Sequence, residues 1–137
     1  MTAMTTVADK LKTIVAGEFA SVGFVTGDTP EQIALGKRLP AGTRPPCVLI
    51  LAGEGFCTDS TLSRQHQFHL VLIDQLNGSG DARATAVWTK FDALLALFPA
   101  EGTQSGDVVF LPESSRMLEC TDGRAAACLT VAAIFPS

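Results

Sequence analysis

The chain has 137 residues, a formal net charge of −4 and 18% charged residues, with 47% apolar. That composition excludes global disorder, and the lack of a basic excess excludes a general nucleic-acid binder, because nothing is present in bulk to neutralise phosphates. The length fits one domain, residues 1–137.

The opening Met1–Thr6 has no basic stretch and no apolar core, so no signal peptide is expected. The longest uncharged apolar stretches, Pro45–Gly53 and Ala125–Ser137, fall short of the roughly 20 residues a membrane helix needs. Four cysteines, Cys47, Cys57, Cys120 and Cys128, include no C-x-x-C pair. That spacing argues against zinc and thioredoxin-type sites and for free thiols in a reducing cytoplasm.

In chain order, Thr6-Val-Ala-Asp9 has the form of a capping box, and Val7, Leu11, Ile14 and Val15 recur on one helical face. Gly17 marks that helix's end. Val22–Thr26 reads as a short strand. Thr29-Pro-Glu-Gln32 opens a second, short helix, with Pro30 suited to its first position. Leu39–Pro46, with three prolines and a glycine, reads as an extended loop. Cys47–Ala52 is a continuous apolar run, as in a strand buried on both faces. A polar loop is expected from Gly53 to Arg64, then a strand over Gln65–Asp74. Asp81 caps a long helix to Phe98, whose apolar stripe is Val87, Trp88, Phe91, Leu94, Leu95 and Phe98, with Arg83, Lys90 and Asp92 toward water. Val108–Leu111 reads as a short strand ended by Pro112. Arg116–Thr121, Asp122-Gly123 and Arg124–Phe135 read as a C-terminal β-hairpin, and a two-residue turn would set Cys128 opposite Met117 and Cys120 opposite Ala125. The order predicts an α+β fold: a single mixed, mostly antiparallel sheet with helices packed on one face.

Chemistry-bearing constellations are sparse. His66 and His69 sit in a predicted strand, where a spacing of three puts them on opposite faces and spoils a metal pair. Cys57 with Asp59 and His66 lacks an activating helix N-terminus or cationic cluster. Gly53-Glu-Gly55 lacks the remainder of a phosphate loop and reads as a turn. No catalytic, cofactor or metal site is expected. Three segments, 47–52, 68–73 and 128–135, are apolar on both alternating faces. The two long helices cover one sheet face, and either folded-over loops or another subunit must cover the second.

The order of patterns resembles the tail terminator and minor tail proteins of long-tailed bacteriophages, the Mu-like branch included. The resemblance rests on the N-terminal amphipathic helix and the Leu39–Pro46 lead into Cys47-Val-Leu-Ile-Leu-Ala-Gly53. It continues with the strand Gln67-Phe-His-Leu-Val-Leu-Ile73, the helix ending Leu94-Leu-Ala-Leu-Phe98 and the closing hairpin. It implies a non-enzymatic virion protein, assembled in the host cytoplasm. Such proteins form a homo-oligomeric ring, commonly of six subunits, that caps the tail tube, ends its polymerisation and presents a joining surface for the head or neck connector. The partners implied are further copies of itself, the tail tube protein and a head or neck protein, with no nucleic-acid sequence recognition and no membrane. The family carries over no catalytic residues. Exposure and loop length single out Glu54, Asp59, Arg64, Glu101 and Asp107, then Arg38 and Arg44, as assembly-interface candidates. The alternatives are a head–tail connector or neck protein and, in another class, a small cytoplasmic ligand-binding domain or enzyme using the 53–66 loop.

Overall fold

The computed structural model describes residues 3–35, 39–57, 63–75, 80–118 and 124–136, those at 54–57, 75, 80–84 and 124 as backbone alone. The elements are α1 (Met4–Ala16), β1 (Val22–Val25), α2 (Pro30–Ala34), β2 (Cys47–Cys57), β3 (Ser63–Gln75), α3 (Gly80–Ala96), β4 (Thr103–Ser105), β5 (Val108–Leu118) and β6 (Arg124–Pro136). The strands form one six-stranded sheet in the order β1-β2-β3-β6-β5-β4. Only the β1–β2 pair is parallel. This is the expected α+β layout with a mixed, mostly antiparallel sheet.

Alternation along the strands sorts side chains onto two faces. Val48, Ile50, Phe68, Leu70, Leu72, Leu129, Val131, Phe110 and Phe135 point to one face, where α1 and α3 cover them with Val7, Leu11, Val15, Val87, Phe91, Leu94 and Phe98. The helical positions 87, 91, 94 and 98 make one stripe, which is why α3 docks along its length. The other face carries Leu49, Leu51, Val71, Ile73, Ala126 and Cys128, against which α2 sets Ile33 and Ala34. The short helix therefore lies opposite the two long ones. Its start follows from the sequence: Thr29 Oγ1 accepts from the Gln32 N–H, the Gln32 side chain accepts from the Thr29 N–H, and Pro30 holds the first turn.

Several local expectations are corrected. α1 begins at Met4 with Ala3 as N-cap and no side-chain cap, so Thr6 lies inside the helix. The expected loop from Gly53 to Arg64 is largely strand: β2 continues to Cys57 and β3 begins at Ser63, with a bulge between Ala52 and Gly55. Gly53 is therefore no turn residue; a Cβ there would meet His69 Nε2 at 2.8 Å, so glycine lets the two strands' contents close up. Pro112 does not end its strand. β5 passes through it to Leu118, absorbing the missing donor in a bulge between Pro112 and Ser114. The closing hairpin forms, but Cys128 pairs with Arg116 rather than Met117. That one-residue slip reverses the face of every β5 side chain near the turn. The pairing of Cys120 lies outside the described residues.

α3 begins at Gly80, so Asp81 is within it. Trp88, placed in the apolar stripe by sequence, is 55% exposed. Lys90, placed toward water, instead reaches 2.6 Å to Asp74, a carboxylate buried at the end of β3. Among the described residues no helix is long and apolar enough to cross a membrane.

Candidate assembly surface

Rows of paired residues run across the sheet and place each surface group. One row is Val22, Val48, Leu72, Ala127, Met117; three rows on is Val25, Leu51, His69, Thr130, Ser114. Farther on, Arg64 pairs with Phe135, and Val109 with Ile134, at the end of the sheet remote from Cys47.

On this grid the sequence candidates do not form one cluster. Arg64 is half-buried, its guanidinium 5.5 Å from the Phe135 ring centroid, a cation–π contact that ties it to its own sheet. Asp107, exposed in the β4–β5 turn, lies 3.6 Å from Lys10 Nζ, which also donates to the Ser105 carbonyl at 3.0 Å. It staples α1 to the turn. Glu101 is exposed in the turn between α3 and β4, next to Gly102, whose φ of 95° favours glycine. Arg44 is exposed near the opposite end of the sheet; its backbone N–H donates to Ser21 Oγ, and it borders a cleft of about 390 Å³ shared with Glu18, Phe19, Pro46 and Lys90. Glu54 lies in β2 at the bulge, described there as backbone alone. Asp59 and Arg38 lie outside the described residues.

The α2 face holds a polar group that the sequence reading passed over. Arg116 forms a close ion pair with Glu31, joining β5 to α2. The Arg116 hydrogen bond holds the Glu31 carboxyl below the ordinary value, and Glu31 raises Arg116 in turn. In the row that ends on Ser114, His69 Nδ1 shares a 2.9 Å hydrogen bond with Thr130 Oγ1. Burial pushes His69 down, helped by the nearby Arg116 charge and opposed by Glu31 and Glu113. Burial raises the Cys128 thiol, so it is not an activated nucleophile. The available signal was the register: with Arg116 opposite Cys128, the arginine falls on the face that α2 occupies. His66 lies on the other face beside Phe68, as odd spacing predicts. Its Nδ1 is buried without a hydrogen-bond partner among the described residues, and burial lowers its pKa.

α2 itself covers only part of the length of its sheet face. Beyond His69 that face carries Gln65, Gln67, Ala132, Ile134, Val109 and Leu111, none of which belongs to the cluster under α2. Val109, Leu111 and Ile134 are half-buried. The Gly102 turn packs on their margin, close to Leu111 and Val109. No helix lies on them among the described residues. No group of three or more His, Cys, Asp or Glu side chains suited to a metal ion occurs among the described residues.

No protein-family model matches the chain, and no curated protein matches it. Among the solved structures that match, one that bears no functional name is similar over 95% of this chain and 95% of its own, at 13% identity and a TM-score of 0.48.

Proposed function

We infer that this chain is a structural assembly protein of a phage tail. It caps the tail tube as a ring of identical copies, ends tube polymerisation and offers the surface to which the head or neck attaches. The observation that carries the reading is the second sheet face. Its far half, with Val109, Leu111 and Ile134 only half-buried, has no covering helix among the described residues. An apolar sheet face normally acquires a cover, and a second subunit supplies one without further chain. The order of sequence patterns that resembles tail terminators favours this reading over a ligand-binding domain. So does the pairing of Gly55–Cys57 with Arg64–His66, where the ligand-binding alternative needs an open loop.

The test is negative-stain electron microscopy with sedimentation velocity, on the purified chain and on the chain mixed with polymerised tail tubes. Rings with an open lumen, or a cap on the tube end that halts growth, are expected. A monomer at every concentration that leaves tubes growing overturns the reading.

A further inference from the structure

The sheet has two incompletely paired edges, and they lie in the same rows. On one side β1 is the outermost strand, with no strand on its outer edge among the described residues. Its four residues occupy the rows of Val48 to Leu51. On the other side β4 pairs only with Val108–Phe110 of the eleven-residue β5. Past that point Ser114, Ser115, Arg116 and Met117 are exposed, and among the described residues no strand lies outside them.

Following the pairs across the sheet, Val22 shares a row with Met117, Gly23 with Arg116, Phe24 with Ser115 and Val25 with Ser114. Beyond β4, β5 runs on to Leu118, and within that stretch Ser114–Met117 lies level with β1. β4 fills the rows beside the other end of β5, where β2 extends past β1 on the far side.

We propose that copies of this chain join edge to edge, the Ser114–Met117 stretch of one against the β1 edge of the next, so that the sheet runs on from protomer to protomer. The inference rests on the ring reading above and names its contact. Strand direction permits it: β2 and β1 are parallel, and three antiparallel steps separate β2 from β5, so β5 meets the next β1 antiparallel. Because the rows coincide, no shift along the strands is needed. Each β4 then lies past the end of the neighbour's β1, beside the uncovered part of its β2.

The side chains agree with that register. Met117 and Phe24 are both exposed large hydrophobics, at 49% and 39%, and alternation puts both on the face that α1 and α3 cover. Edge pairing sets Met117 opposite the next copy's Val22 and diagonal to its Phe24, within reach of a long flexible side chain. On the reverse face Arg116 falls opposite Gly23, which offers no side chain to oppose it. Unlike edges meeting in this way are heterologous, and a heterologous contact closes a ring when the rotation between copies divides a full turn and builds an open filament when it does not. Four rows supply roughly four inter-strand hydrogen bonds, a modest contact that a ring multiplies by using both edges of every copy.

The experiment is disulfide trapping on the full chain with Cys57→Ser and Cys120→Ser. Val22→Cys is combined with Met117→Cys, and separately Val25→Cys with Ser114→Cys. The two pairs lie in rows of opposite hydrogen-bond class, so one of them has the closer Cα spacing, about 4.5 Å, that suits a disulfide. Oxidation is expected to give a ladder of covalent oligomers from a double variant. A mixture of the two single variants should stop at dimers. Met117→Lys, an exposed change that leaves the circular dichroism and Tm unaltered, is expected to weaken association at least tenfold. Rings without either cross-link, or dimers from Met117→Cys alone, overturn the edge contact while the ring reading stands. Ladders that never close into rings keep the contact and overturn the ring. A chain that neither cross-links nor associates overturns both.

Discussion

Among the described residues, α1 and α3 and the sheet face beneath them share a cluster of twenty buried apolar side chains, whereas α2 and the opposite face share nine, two of them α2's own Ile33 and Ala34, and polar groups follow there at His69 and Thr130. One face is finished within the chain. The other is finished over part of its length, by a helix of five residues. The difference teaches where stability resides and where the surface remains free for contact. Long amphipathic helices can seal a sheet, while a one-turn helix can only cap a patch of it.

The comparison breaks first if the well-covered face proves tolerant. Phe110 is fully buried and meets Phe98 edge-on at 6.5 Å between centroids. Phe110→Ala is expected to destabilise by about 4 kcal/mol in denaturant unfolding, since the cavity is enclosed by strand and helix and cannot collapse. Ile33→Ala on α2 is expected to fall near 2 kcal/mol, because a short helix can shift into the space. Equal losses would mean that the two faces are equally rigid.

The next effect concerns the buried charge on the finished face. Asp74 is nearly inaccessible, and Lys90 reaches it from α3 with its own side chain about one-third exposed. Removing either partner is therefore unequal. Lys90→Met leaves a carboxylate buried and unpaired and should cost about 3 kcal/mol. Asp74→Asn frees an ammonium that can turn to water and should cost about 1 kcal/mol. Thermal and denaturant unfolding of the two variants check the order; the reverse order would place the burden on the lysine.

The long-range layout was legible in the sequence because continuous apolar runs and helical stripes report burial directly. Cys47–Ala52, Gln65–Asp74 and the stripe of Val87, Phe91, Leu94 and Phe98 all lie where period and length place them. Three kinds of feature were not legible. Pro112 reads as a strand end, yet a bulge accommodates it inside β5. The polar run 53–64 reads as a loop because it lacks an apolar alternation, yet 53–57 and 63–64 are strand. The Asp-Gly pair reads as a two-residue turn, and the actual register differs by one, which alone moved Arg116 to the α2 face and hid its pairing with Glu31. The candidate charges fared worst, because exposure is not placement: Asp107 and Arg64 are engaged with their own chain.

A weaker effect follows from the two histidines, one on each face. Burial lowers both His66 and His69 below the ordinary value of 6.5. The unfolded chain then binds more protons than the folded one as pH falls through that value. Stability is therefore whole above pH 6.5 and declines below it, until the folded state also takes up the protons. Unfolding curves between pH 7.5 and 5.5 should show this decline. Replacing both residues, His66→Gln with His69→Gln, should flatten it, and an unchanged slope would assign it to carboxylates instead.

The smallest expected effect lies at the seam between α2 and β5. Glu31 and Arg116 make a close pair, but both side chains are half-exposed, so water competes for each charge. Glu31→Gln is expected to change stability by about 0.5 kcal/mol or less at moderate salt, and by less still at high salt, where screening removes most of the attraction. Hydrogen exchange in α2 gives the finer readout, because the pair spans the helix and β5. If α2 is held by Ile33 and Ala34, its amides keep their protection in the variant. If protection collapses, the ion pair is what seats the helix, and the partial cover of this face is an electrostatic latch rather than a small apolar core.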